Sequence, residues 1–202
     1  VKGDEIINNA LVSLLEGNLP KHLELDVLIA AESRKTKILN QQLEKYQASL
    51  PANDPLAEYK ATLFGGDANK GKLVYENHVA AQCVRCHNAG GKDNQVGPEL
   101  SGISKRTDKN YLLRSLINPS VEIADGFGVT LIELTNGKSL VGRMINRSEQ
   151  ELTLIPPQGE PQKISTVEIK KITESNTSVM PPMGSILTKH ELRNLMAYLE
   201  TL

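Results

Sequence analysis

Cys83-Val84-Arg85-Cys86-His87 is the stretch on which the reading of this chain turns. Two cysteines separated by two residues, with a histidine directly after, form the attachment signature of a c-type haem. The spacing has a chemical reason. Within one helical turn both thiols can reach the two vinyl groups of a porphyrin and form thioethers. The next residue then presents an imidazole to the iron from the same side. Cys83 and Cys86 are the only cysteines in the chain, so the pattern uses the whole supply. Rival readings fit less well. A zinc site wants four ligands, usually two such pairs, and there is no second pair. A thioredoxin-like pair should follow a buried strand, whereas Tyr75-Glu76-Asn77-His78 reads as helix. A structural disulfide would leave His87 unexplained.

A haem iron in an electron carrier usually has a sixth ligand. Ser178-Val179-Met180-Pro181-Pro182-Met183-Gly184 offers one, just before a strongly marked helix. Thr188 and Glu191 make a capping box there, and Leu192, Leu195, Met196 and Leu199 form the apolar stripe. A Met-Pro pair in the loop before a C-terminal helix resembles the distal-ligand segment of class I cytochromes c. Pro181 holds Met180 extended, which suits a thioether aimed inward from a loop. Met180 is therefore the expected ligand and Met183 its rival. Met144 and Met196 sit in strand-like and helical patterns and read as packing residues. His78 is the alternative ligand, but it lies too close before Cys83 to reach the opposite haem face easily. His22 reads as a surface or packing residue and His190 as solvated.

Other class I features fall where that resemblance asks for them. Asp67 can cap a helix from about Ala68 to His78, with Gly71 and Tyr75 four apart on it. In that family the first helix crosses the last at a small residue, with an aromatic from each side; Tyr198 would partner Tyr75. Gly90-Gly91 loosens the chain after the motif, and Gly97-Pro98-Glu99-Leu100 follows. In similar cytochromes the carbonyl of this proline accepts a hydrogen bond from the ligand imidazole, fixing its tautomer. Thr107 or Asp108 then starts a helix carrying Tyr111, Leu112, Leu113, Leu116 and Ile117, stopped at Asn118-Pro119.

Composition supports a cofactor-assisted core. There are five Tyr, two Phe and no Trp, and a buried porphyrin would supply the flat apolar surface that aromatics normally provide. With 23 basic and 24 acidic side chains and no long run of one sign, nucleic acid and anionic membranes are poor partners. No stretch approaches the roughly 20 apolar residues of a membrane span. The chain has neither an initiating Met nor a signal peptide, as expected of a mature or excised piece of something longer.

Three regions separate. Residues 1–64 read as helical. Ile6, Ile7, Ala10, Leu11, Leu14 and Leu15 form one stripe, Leu23, Val27, Leu28 and Ala31 a second, and Leu39, Leu43, Tyr46 and Leu50 a third. Asp54-Pro55 should start a short helix ending at Gly65-Gly66. Such stripes suit either the end of a helical solenoid or an independent cap. Residues 65–202 read as a cytochrome c domain interrupted at 126–176. Within the interruption, Val129–Leu134 alternates, Asn136-Gly137 is a hairpin turn, and strands follow at about Ser139–Ile145, Leu152–Ile155, Gln162–Ser165 and Val167–Ile172. Pro156-Pro157-Gln158-Gly159 reads as a further turn. The expected fold is a mainly α cytochrome c-like domain with an N-terminal helical segment and an inserted small antiparallel β-barrel, α+β overall. The insert has six basic and six acidic residues, so no basic face is indicated.

The whole pattern resembles the haem-binding domain first recognised in planctomycetes and verrucomicrobia. Gly65-Gly66-Asp67-Ala68, Lys70-Gly71, Cys83 to His87, Gly97 to Ile103, Tyr111-Leu112-Leu113, Asn118-Pro119-Ser120, Met180-Pro181 and Ala197-Tyr198-Leu199 carry the likeness, strongly over 54–202. It implies one covalent haem c held by Cys83 and Cys86, ligated by His87 and Met180, with Pro98 orienting His87. It also implies an extracytoplasmic, periplasmic setting and a redox partner, either a separate protein or a fused quinoprotein-type dehydrogenase domain. The domain would be an electron carrier, not an enzyme. The competing class is a five-coordinate haem enzyme or a gas or redox sensor, which a spectrum in both redox states separates.

Overall fold

The computed structural model describes residues 2–90, 96–157 and 160–202. The chain divides into two compact units, Val1–Tyr75 with Gly184–Thr201, and Glu76–Met183 with Leu202. Gly91 of the expected loosening pair, and Gln158 and Gly159 of the expected turn, lie outside the described residues.

The first unit is helical. It contains α1 (Lys2–Leu15), α2 (Lys21–Arg34), α3 (Lys37–Ser49), a 3-10 segment (Ala57–Leu63), α4 (Ala68–Asn77) and α7 (Lys189–Leu199). Leu11, Leu25, Leu28, Ala31, Leu39 and Ala61 form its core cluster. The stripes read from sequence meet there, with two differences. Leu25 is buried although the second stripe passed over it, while Ile6 is 69% and Leu23 40% exposed. The segment after Asp54-Pro55 is a 3-10 helix, with the Asp54 carboxylate accepting the Leu56 N–H at 2.9 Å.

α4 and α7 cross at Gly71. Asp67 caps α4 by accepting the N–H groups of Asn69 and Lys70, and Thr188 and Glu191 make the reciprocal capping box on α7. Such a cap contributes about 1 kcal/mol. At the crossing a Cβ on Gly71 would overlap the Asn194 carbonyl and lie 2.7 Å from Tyr198 Cβ. Only a missing side chain allows this approach. The Tyr75 and Tyr198 rings meet beside it, 5.4 Å between centroids and tilted by 48°. On α7, Leu192, Leu195, Met196 and Leu199 are all buried, as their spacing predicts.

The second unit contains the Cys83–Arg85 turn, α5 (Ile103–Arg106), α6 (Lys109–Ile117) and a sheet. Asp108 caps α6 by accepting the Tyr111 N–H at 2.7 Å, and Leu112, Leu113 and Leu116 are buried. The strands are β1 (Val129–Leu134), β2 (Ser139–Arg147), β3 (Glu151–Ile155), β4 (Gln162–Ser165) and β5 (Ile169–Ser175). All pairs are antiparallel, in the order β4-β3-β2-β1-β5. Period-two alternation sends Ile132, Leu152, Leu154 and Ile164 to one face as the insert's own core. Ile132 sits opposite Leu140 and Ile172, and Leu152 opposite Ile164.

The expected barrel is not formed. A barrel requires the outermost strands to pair, but among the described residues β4 bonds only to β3 and β5 only to β1. β4 is four residues long, and the chain turns at once into a 3-10 segment, Thr166–Glu168. That turn also displaces the expected start of the last strand, leaving Val167 83% exposed. The insert is an open five-stranded sheet.

Gly71→Ala should lower the stability of the folded protein by about 2 kcal/mol, the cost of overpacking a closed contact. Gly90→Ala, with nothing within 4 Å of the added Cβ, should change it by less than about 0.5 kcal/mol. Denaturant midpoints of both variants check the contrast.

Candidate functional site: the cysteine–histidine turn

The motif begins with a backbone that few residues tolerate. Gln82 is left-handed, φ 46° and ψ 42°, and its side-chain oxygen accepts a bond from Arg85 Nη1 at 2.6 Å. The chain enters the Cys83–Arg85 turn from there, with the Cys83 carbonyl accepting both Cys86 N–H at 3.1 Å and His87 N–H at 2.9 Å. In a 3-10 turn residues three apart eclipse one another. Cys83 and Cys86 are therefore carried to the same side by the two-residue spacing. Both are free thiols, partly buried. Burial pushes the thiol pKa of each upward, so both stay protonated at neutral pH.

His87 is fixed by the segment that follows. Its Nδ1 lies 2.9 Å from the Pro98 carbonyl oxygen. A carbonyl can only accept, so Nδ1 carries the proton and Nε2 keeps the lone pair. Burial is the larger influence on the ring and lowers its pKa, with the Pro98 bond acting the other way. The result is a neutral imidazole with a defined tautomer, the form that ligates metals. Backbone bonds tie the two segments together on either side, Gly97 N–H to Cys86 O at 2.9 Å and Leu100 N–H to Asn88 O at 2.8 Å. Gly97 is the close-approach residue. A Cβ there would lie 2.7 Å from Cys86 O and 3.0 Å from His87 Cε1.

Met180 lies half-buried in the loop before α7. Its N–H donates to Ser178 Oγ at 3.1 Å, and Ser178 N–H donates to Ser120 Oγ at 3.1 Å. That second bond joins the two ends of the sheet-bearing segment. Met183 is 2% exposed and begins a 3-10 segment of its own. His78 accepts the Ala81 N–H at Nδ1, 3.0 Å away, which makes it a cap of its own turn. His22 and His190 are exposed, and His190 Nδ1 lies 3.2 Å from Arg193 Nη2.

Sequence reasoning singled out Cys83, Cys86, His87 and Pro98, and the structure brings these four into one continuous hydrogen-bonded unit. It missed Gln82, whose conformation has no composition signal, and the Ser120–Ser178 tie, which joins residues far apart in sequence. The cytochrome c family model matches residues 68–202, more than half of the chain, and the chain belongs to the cytochrome c family. A search of curated proteins finds no match. Family membership gives the coarse role, haem c binding and electron transfer. Among the described residues no helix is long and apolar enough to cross a membrane.

Gly97→Ala should push the His87 ring off the Pro98 carbonyl. The expected outcome is a loss of about 1–3 kcal/mol in stability together with a shifted haem absorption spectrum. Equilibrium unfolding followed through the haem band checks both.

Proposed function

We propose that this domain carries one covalent haem c and passes single electrons to and from a redox partner. Cys83 and Cys86 are its thioether anchors, His87 and Met180 its axial ligands, and Pro98 orients His87. The haem supplies the chemistry, cycling between ferric and ferrous iron. The observation that carries the reading is the 2.9 Å contact from His87 Nδ1 to Pro98, which leaves Nε2 as the donor atom on the residue directly after two free thiols. This residue set fits a haem held from one side: two protonated thiols for the vinyl groups and one neutral imidazole for the iron. Gly97 keeps the bonding segment close enough to hold that ring.

The distal assignment goes to Met180. It sits on a loop pinned through Ser178 to Ser120 and is followed by Pro181, which keeps its backbone extended. Met183 is a packing residue at the start of a 3-10 segment. A neutral thioether favours ferrous iron, so this ligation raises the reduction potential relative to two histidines. The likeness to planctomycete and verrucomicrobial haem-binding domains supports an extracytoplasmic setting and a dehydrogenase, fused or separate, as electron donor. The sheet insert would shield a haem edge or dock that partner.

Met180→Ala should give a high-spin iron that binds carbon monoxide, with a lowered potential, while Met183→Ala stays low-spin. Absorption spectra of both redox states decide it. The opposite result transfers the ligand role to Met183, and a wild-type protein already high-spin in both states would favour a five-coordinate sensor or enzyme.

The insert should not bind nucleic acid, because a surface with balanced charge gains little from counterion release. Titration with single-stranded DNA and RNA at physiological salt should show no binding. Sub-micromolar affinity with a steep salt dependence would refute this.

A further inference from the structure

One end of the sheet departs from the alternation that governs the rest of it. Leu152 and Leu154 belong to the insert's own core, so Ile155 falls on the opposite face. On a sheet with one wet face that position should be polar and exposed. Ile155 is instead 4% exposed. It lines a narrow cleft with Phe127, Val129 and Arg143 of the insert, and with Val96 and Val179 from outside it. Val96 immediately precedes Gly97-Pro98. Val179 immediately precedes Met180. A single cleft thus borders both loops that carry the proposed ligand contacts.

Arg143 holds the insert's side of that cleft. Its Nε donates to the Gly126 carbonyl at 2.6 Å, and its guanidinium lies 3.6 Å from the centre of the Phe127 ring. Arg143 and Ile155 are direct partners across the β2–β3 ladder. Gly142 permits that close pairing, since a Cβ there would strike the Ile155 carbonyl and lie 2.9 Å from Leu154 Cγ. Partial burial lowers the Arg143 pKa, as expected of a guanidinium with one face against a ring. Such stacking with a carbonyl bond uses the planar fork of arginine, which lysine cannot reproduce in full.

We propose that Arg143 is a positioning residue for axial ligation. It fixes the Phe127 side of the cleft that Val96 and a partly exposed Val179 also line, and so limits how far the Met180 and Pro98 loops can part. The Met180 loop is then held on one flank by Ser120 and on the other by the insert. This rests on the His87/Met180 ligation reading, and the experiment separates the two.

The test is an imidazole titration of the ferric holoprotein. Imidazole occupies only iron that Met180 has vacated, so its apparent affinity reports the population of that open form. Arg143→Ala should tighten imidazole binding about tenfold, the scale of losing a stacked cation and a charged hydrogen bond. Arg143→Lys keeps a cation above Phe127 and should fall between this variant and wild type. Met180→Ala should bind tightest of all. The thermal midpoint is measured alongside, because a merely structural role would lower it and leave imidazole affinity unmoved. Should Arg143→Ala not fold, Val179→Ala trims the loop side of the same cleft and carries the same expectation. Unchanged affinity in Arg143→Ala, with tightened binding in Met180→Ala, overturns the positioning role and leaves ligation standing. Unchanged affinity in Met180→Ala overturns the ligation reading and the positioning role with it.

Discussion

The hydrogen bond from His87 Nδ1 to the Pro98 carbonyl is the constraint on which the site depends. It fixes the tautomer, aims Nε2, and ties the attachment turn to the segment that follows it. An imidazole buried without that partner would be free to rotate or to exchange tautomers, and its lone pair would have no fixed direction. Gly97 makes the bond possible, because any side chain there would collide with the ring and with the Cys86 carbonyl. The small residue and the proline carbonyl thus act together. One admits the backbone and the other uses the approach.

A similar economy governs the helices. Gly71 lets α4 and α7 touch backbone to backbone, and the Tyr75–Tyr198 pair closes the contact beside it. A fully buried apolar side chain contributes about 1.5–3 kcal/mol, so the four buried residues of the α7 stripe are a large part of what holds that helix in its unit. Caps at Asp67, Asp108 and Thr188 define where three of the helices begin.

Much of this was legible because its causes are local in sequence. The proposed thioether attachment would demand the spacing from Cys83 to His87, capping demands Thr188 and Glu191 three apart, and the turn at Asn136-Gly137 needs a residue free to take a positive φ. What was not legible depends on distant backbone partners. The strands of the insert could be read from alternation, but closure into a barrel depends on whether β4 meets β5, and no side-chain pattern encodes that. The backbone pairing decides against it, since among the described residues β4 bonds to β3 and β5 to β1 but not to each other. Leu25 was passed over because α2 mixes polar and apolar residues on every face, so its buried side is set by α1 and α3. Ser120–Ser178 and Arg143–Phe127 were invisible for the same reason.

X-ray absorption at the iron edge of the ferric holoprotein tests the central claim most directly. His87 and Met180 as axial ligands predict one sulfur scatterer at the iron, with nitrogen filling every other position. A first coordination sphere made of nitrogen and oxygen alone would contradict the account.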